Sequence, residues 1–300
     1  MPDELVGKRL REYSILQLIG RGGMARVYKA RHVLLDELRA IKLLNPDSSE
    51  ATKEFKARFQ REAQILVRLK HRHLVTVHEF GILGKDILFM VMEYLEGVSL
   101  RSRLRQKGWL PIPECIEIAK QAALGLSAAH KQGVVHRDVS PDNIVLVPAD
   151  SDGHEEIVKI IDFGIAKNVI ATDSTKLTDT MKFVGKAEYC SPDQIQMPTA
   201  DQEIDGRSDV YSLGVTLYEI LTGSRPFKAK SPQGYIAKHL KAVPIPFEQA
   251  NPAVELSPAF EDLVLRMLEK NRNRRPASMD ELFKELTALG HEHTVLTPRA

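Results

Sequence analysis

The stretch His136-Arg137-Asp138-Val139-Ser140-Pro141-Asp142-Asn143, followed by Asp162-Phe163-Gly164, decides how this chain is read. It sets an acid, an amide and a second acid at fixed spacing, each beside a short apolar run of β-like character. A carboxylate able to receive a hydroxyl proton, with an Asn and an Asp able to hold a divalent metal, is what phosphoryl transfer requires. Either short pattern arises by chance. The two together, in this order and separation, almost never do.

These residues match the H-R-D-x-x-x-x-N and D-F-G elements of one signature set, and the chain resembles the Hanks-type protein kinases, in particular their bacterial Ser/Thr branch. The resemblance implies an α+β fold of two lobes: a small β-rich N-lobe over residues 1–94 and a larger, mostly helical C-lobe over 95–290, with a polar tail over 291–300. The remaining signatures can be sought one at a time.

Ile19-Gly20-Arg21-Gly22-Gly23-Met24-Ala25-Arg26-Val27 resembles the glycine-rich loop that covers ATP phosphates. Glycine suits such a loop because backbone must approach phosphate closely and visit positive φ. The third family glycine is Ala25 here. By pattern alone the segment also fits the G-x-G-x-x-A of dinucleotide binders, or an ordinary glycine hairpin. Dinucleotide binders need a helix after the loop, whereas Val27-Tyr28-Lys29-Ala30 continues in β-favouring residues. Arg39-Ala40-Ile41-Lys42 resembles the strand that carries the phosphate-binding lysine, Lys42. From Phe55 to Leu69, Phe55, Phe59, Glu62, Ala63, Leu66 and Leu69 recur at helical spacing. Glu62 lies on that largely apolar stripe, where a carboxylate is costly unless paired. The family partner is Lys42, and the bland alternative is two solvated surface charges.

Past the catalytic elements, Tyr189-Cys190-Ser191-Pro192-Asp193 resembles the motif that closes the activation segment, with Asp193 in place of the usual Glu and Arg275 as its expected partner. Asp205 to Gly214 resembles the start of the large central helix, where Asp209 would brace the catalytic loop. That helix is apolar on nearly every side, as a buried helix should be, and Gly223 ends it. Ile116, Ala119, Ala123, Leu126 and His130 mark another helix face, and Ser257-Pro258 supplies an N-cap and first-turn proline. Arg274-Arg275-Pro276 resembles the late R-P motif, and Ser278 to Glu281 reads as a capping box. The likeness runs from about Tyr13 to about Leu289, with every signature in order.

Composition adds bounds. Three hundred residues with a formal net charge of +2 suit one globular catalytic unit and give no reason to expect nucleic acid as a partner. Cys115 and Cys190 have neither metal spacing nor disulfide-framework density, so a cytoplasmic setting is expected. Cys190 reads as a redox-sensitive residue of the activation segment or, more plainly, as a small apolar packer. No stretch is apolar enough to span a bilayer, and the first residues lack the features of a signal peptide. Pro148 to Glu156 reads as a polar loop between two strands.

The resemblance implies transfer of the ATP γ-phosphoryl group to Ser or Thr hydroxyls of protein substrates, another copy of the chain among them. Asp138 accepts the hydroxyl proton, Asn143 and Asp162 hold Mg²⁺ or Mn²⁺, and Lys42 orients the phosphates. Gly20, Gly22, Gly23, Val27 and Ala40 would contact the nucleotide, Met92 would be the gatekeeper, and the backbone of Glu93 and Leu95 would bind adenine in the cleft between lobes. Two other classes share parts of the pattern: a pseudokinase acting as a scaffold, which the full catalytic set argues against, and a small-molecule phosphotransferase, which would not need the activation segment.

Two regulatory expectations follow. Arg137, beside the catalytic Asp, would be settled by an anion, with Lys167 joining it, and Thr178 and Thr180 are the positions matching phosphorylated threonines of bacterial relatives. The alternative is a Thr-rich, solvated flexible loop with no regulatory role. The chain also departs from the family at two positions. Ser140 stands where most Ser/Thr kinases carry a lysine, and Lys186 follows Gly185 where most carry a threonine. In the family fold these positions face each other. Ammonium and hydroxyl are therefore expected to have exchanged places, with Lys186 as the catalytic cation and Ser140 as the hydroxyl. The alternatives are a solvated Lys186 or a weakened site.

Overall fold

Alternating buried and exposed residues in the first ninety positions become strands. A computed structural model describes residues 3–22, 25–44, 53–84, 87–149, 155–163, 186–196 and 204–295, with side chains described except at 53–55, 58 and 291–295. The described residues fall into two compact units. The first holds a six-stranded antiparallel sheet in the order β1-β2-β3-β4-β6-β5. Its strands are β1 (Arg9–Leu10), β2 (Tyr13–Arg21), β3 (Ala25–His32), β4 (Leu38–Leu44), β5 (Val77–Leu83) and β6 (Ile87–Glu93). Tyr13, Ile15, Tyr28, Ala30, Ile41, Leu43, Phe89 and Val91 form a buried cluster on it. Helix α1 (Lys53–Arg68) buries Phe59, Ala63 and Leu66 along the stripe expected from spacing. It docks on β5 through Phe59, whose ring meets Phe80 edge-on at 6.2 Å.

The second unit is mostly helical. A small sheet of β7 (Val98–Ser99), β8 (Ile144–Pro148) and β9 (Glu156–Ile160) carries the catalytic stretch. Ser99 ends β7 and caps α2 (Leu100–Lys107), its hydroxyl accepting from Ser102 N at 3.1 Å. In α3 (Ile112–His130), Gly125 permits a close approach, since a Cβ there would lie 2.8 Å from the His73 carbonyl oxygen. A four-residue helix α4 (Pro192–Ile195) precedes α5 (Arg207–Thr222), of which every residue from Ser208 to Thr222 is buried. Gly223 then stops α5 at φ 75°, a left-handed cap that favours glycine. The chain continues through α6 (Pro232–Lys241), α7 (Phe247–Ala250), α8 (Pro258–Met267) and α9 (Met279–Val295). Helix α9 thus extends beyond residue 290 into the stretch read as a polar tail.

The division between units is not a single cut in the chain. Residues 72–74 group with the helical unit, where Ile160 N donates to the His73 carbonyl at 2.9 Å and Leu74 bridges Ile160. Among the described residues no helix is long and apolar enough to cross a membrane.

Candidate active site

In the sheet unit, strand register gathers the expected nucleotide residues. Gly20 pairs with Val27 across β2 and β3, and Gly22 N donates to the Ala25 carbonyl at 2.8 Å, closing the hairpin. The glycine segment is therefore strand–loop–strand, and no dinucleotide-binding helix follows it. Lys42 lies opposite Val27 on one side and Met90 on the other, while Ala40 lies opposite Met92. Directly opposed residues share a face, as do i and i+2, so Val27, Ala40, Lys42 and Met92 line one face of the sheet. Glu93 donates its amide to the Thr76 carbonyl at 2.9 Å, committing that N–H within the unit. Leu95 follows β6. Lys42 on β4 and Glu62 on α1 are both half-buried.

In the helical unit, the hairpin β8–β9 explains how residues nineteen apart come together. Ile144 pairs with Ile160, and Ile161 N donates to the Asn143 carbonyl at 2.9 Å. Asn143 and Asp162 therefore emerge at the same end of one hairpin. The turn Pro141–Asn143 folds back so that Asn143 Nδ2 donates to both the carbonyl and Oδ2 of Asp138, each at 2.8 Å.

This loop hangs from a buried acid. Asp209, fully buried at the start of α5, accepts from His136 N and Arg137 N at 2.8 Å each and from His130 Nε2 at 2.7 Å. Burial pushes its pKa up, but the hydrogen bond and charge of His130 and the contacts of His136 outweigh that, holding it below the usual carboxylate range. His136 Nδ1 accepts from Asp138 N at 3.2 Å, so the ring proton sits on Nε2, which donates to the Ile161 carbonyl at 3.0 Å. One imidazole thus ties the strand before Asp162 to the loop of Asp138, and its ring lies 4.7 Å from that of Phe163. Arg137 and Asp162 both sit at φ 62°. Non-glycine residues reach that region only where surrounding contacts over-determine them. Arg137 has such contacts: its amide goes to Asp209, and its carbonyl accepts from Gln194 Nε2 at 2.8 Å.

Lys186 meets Ser140, as the exchanged pair requires. Its Nζ donates to Ser140 Oγ at 3.1 Å and also lies 2.9 Å from Asp142 Oδ2. It is therefore not a solvated lysine. Burial raises the pKa of Asp142, but the hydrogen bond from Lys186 and the charges of Lys186 and Arg101 more than reverse this, leaving it depressed. Beyond it lies a group that the sequence reading passed over. Arg101 contacts Asp142, Glu219 and the Tyr189 hydroxyl, and Tyr189 donates to Glu219 Oε2 at 2.5 Å. A signal existed: Glu219 is a carboxylate on a helix apolar all round, and such a residue demands a partner.

The segment 186–196 is pinned elsewhere too. Ser191 caps α4 in a full capping box with Gln194. Asp193 accepts from Arg275 Nη1 at 2.6 Å, so the shorter side chain still spans the expected pair. Cys190 is buried, its thiol pushed up to about 12 by that burial, which fits the packing role. Gly23, Gly164, Lys167, Thr178, Thr180 and Gly185 lie outside the described residues.

The donor set suits a hard cation. Asn143 has spent its amide nitrogen on Asp138, so Oδ1 is the atom it can offer, and Asp162 adds carboxylate oxygens. Mg²⁺ and Mn²⁺ take such oxygens, and Mg²⁺ fills its remaining positions with water and substrate phosphate. Among the described residues no group of three or more His, Cys, Asp or Glu gathers as a metal cage. The residues present fit a metal that arrives with a nucleotide.

A strand-rich unit with a glycine hairpin, and a helical unit whose Asp–Asn loop hangs from a buried central-helix aspartate, make the protein-kinase catalytic fold. The model of the protein kinase domain matches residues 13–286, and the chain belongs to that family. It is 40% identical, over 97% of its length, to the serine/threonine-protein kinase pkn3 of Myxococcus xanthus, covering 52% of that protein. It is 36% identical to PrkC of Bacillus subtilis, covering 94% of this chain and 41% of PrkC. It thus spans about half or less of the length of these curated relatives. Among solved structures, the kinase domain of Mycobacterium tuberculosis PknI is similar with a TM-score of 0.69 and 25% identity, over 95% of this chain and 98% of that one. Rad53 1-466 in complex with AMP-PNP has the same fold, with a TM-score of 0.73 and 24% identity, over 92% of this chain and 65% of that one.

Proposed function

We propose that this chain is an ATP-dependent protein kinase that phosphorylates Ser and Thr hydroxyls of proteins. The observation that carries the reading is the Asp138–Asn143 hydrogen bond at 2.8 Å, in a loop fixed by Asp209. It holds a proton-accepting carboxylate and a metal-capable amide in one rigid turn, and phosphoryl transfer depends on positioning of this kind. Asp138 receives the hydroxyl proton. Asn143 and Asp162 hold Mg²⁺ or Mn²⁺, which neutralises phosphate charge when ATP is bound. On the sheet unit, Lys42 orients the phosphates with Glu62 as its partner. Gly20, Gly22, Gly23, Val27 and Ala40 contact the nucleotide, and Met92, Glu93 and Leu95 frame its base. Lys186 supplies the ammonium that the catalytic loop lacks at Ser140, and Ser140 the hydroxyl that holds it; their 3.1 Å contact supports this. Phosphate on Thr178 or Thr180, received by Arg137 and Lys167, switches activity. Protein substrates include the chain itself in trans.

The test is Asp138→Asn, which keeps the shape and removes the charge and the proton acceptor. ATP binding, read by calorimetry, is expected to stay within about twofold of the parent, while transfer to protein falls by about a hundredfold or more. Phosphoamino-acid analysis should return phosphoserine and phosphothreonine. Normal turnover in the variant removes Asp138 from its role.

A further inference from the structure

One oxygen of Asp142 faces two cations. Its Oδ2 lies 2.9 Å from Lys186 Nζ and 3.4 Å from Arg101 Nε. Arg101 is itself tightly held: its Nη1 donates to Glu219 Oε1 at 2.9 Å, its Nη2 to the Tyr189 hydroxyl, and only 12% of its side chain is exposed. The same Glu219 Oε1 takes Arg225 Nε at 3.4 Å. Charges therefore alternate in a row: Lys186, Asp142, Arg101, Glu219, Arg225. The row starts beside Ser140, two residues from Asp138, and crosses α2 and α5.

We propose that Arg101 is a positioning residue for the Lys186 ammonium and acts through Asp142. The proposal rests on the reading of Lys186 as the cation of the transfer site. A lysine paired one-to-one with a carboxylate has much of its field cancelled for any charge beyond the pair. Arg101 draws on the same carboxylate oxygen, so Asp142 keeps Lys186 beside Ser140 without quenching it. Arginine suits this place because its rigid fork spans Asp142 and Glu219 at once, where a lysine would serve one of them. Without Arg101, Asp142 closes on Lys186 alone. The competing role for Arg101 is a brace for Tyr189 and Glu219 with no bearing on Lys186.

Double-mutant cycles on the whole chain separate the two. The readouts are kcat and KM for ATP with Mg²⁺ and casein as acceptor, with a thermal melt of each variant. R101M should lower kcat about tenfold with KM for ATP unchanged within about twofold. In a D142N background the same step should cost less than about twofold, because no carboxylate remains to close on Lys186. In an E219Q background it should keep its full effect. If R101M costs as much without the Asp142 charge as with it, or if its effect vanishes in E219Q instead, Arg101 is a brace and the proposal falls. K186M distinguishes this from failure of the underlying reading. A K186M enzyme with parental kcat overturns the assignment of Lys186 and the proposal together. A crippled K186M enzyme with no Arg101–Asp142 coupling overturns only the positioning role. If R101M does not fold, R101K carries the same cycles, with a smaller fall in kcat that again disappears in D142N.

Discussion

Lys186 and Ser140 show how two departures from a family pattern can be one feature. Each residue alone looks like a loss: a catalytic loop without its lysine, and an activation segment without its threonine. The 3.1 Å contact between Nζ and Oγ supports reading them as one exchange across a hydrogen bond. Ser140 is fully buried, so its hydroxyl needs a partner, and among the described residues Lys186 donates to it. A cation aimed at transition-state charge contributes on the order of 3 kcal/mol. Lys186→Thr should therefore slow transfer by about a hundredfold. Ser140→Lys should also harm it by crowding like charges, and the double exchange should recover much of the loss because it restores the usual arrangement. Single-turnover rates check all three, and a double exchange no better than either single change defeats the idea. The pair was legible because both residues sit at fixed offsets from motifs. Asp142 and Arg101 were not, since a lone acid in a loop and an arginine on a short helix read as solvated charges. Only folding shows that Lys186 and Arg101 share the Asp142 carboxylate.

Among the elements, those that periodicity predicts are those held by a stripe or by burial on every side: α1, α3 and α5, while α9 is marked by its cap. Short elements such as β1, β7, α4 and α7 carry too few residues for a period. Caps and neighbours make them instead. Even the legible ends differ in detail. Ser278 Oγ accepts from Glu281 N at 3.2 Å as a capping box requires, but the Glu281 carboxylate reaches back to Ala277 N, one residue further than expected. The Asp193–Arg275 pair joins α4 to the chain before α9, and here burial sets the stakes. The Arg275 side chain is fully buried, donating to Asp193 and to the carbonyls of Glu269, Arg207 and Lys270. Asp193→Ala strands a buried guanidinium without its counter-charge, which typically costs 3–5 kcal/mol. The three carbonyls offset part of that, so a loss of about 3 kcal/mol is expected in urea unfolding. A loss under about 0.5 kcal/mol would mean that the carbonyls alone hold Arg275.

For the molecule as a whole, pH dependence follows from groups that function does not use. His239 on α6 is fully buried. Its Nδ1 faces the Tyr211 hydroxyl at 2.9 Å, and its ring packs against those of Tyr211 and Phe227. Burial first, then the charge of Lys270, pushes its pKa down to about 4, against about 6.5 in an unfolded chain. Lys270 is itself pushed down to about 8, so it remains charged throughout this window and opposes protonation of His239. Between about pH 6.5 and 4 the unfolded chain therefore binds the extra proton, and folding stability falls as pH falls. The full effect is on the order of 3 kcal/mol, since each pKa unit is worth about 1.4 kcal/mol. His78, on the exposed side of β5 but lowered by desolvation first and then by the charge of Arg39, adds to the same slope. The carboxylates act in a lower window. Asp209, Asp142 and Asp205 all have depressed values, so their contribution is complete above about pH 5 and is lost progressively as pH falls below that. Urea midpoints should thus begin to decline between about pH 6.5 and 5, above the window in which these three carboxylates are lost. His239→Gln keeps a group for the Tyr211 hydroxyl but cannot take up a proton. Its midpoint should flatten between about pH 6.5 and 5 while still dropping below that. An unchanged slope in that variant would place the acid sensitivity somewhere other than under α6.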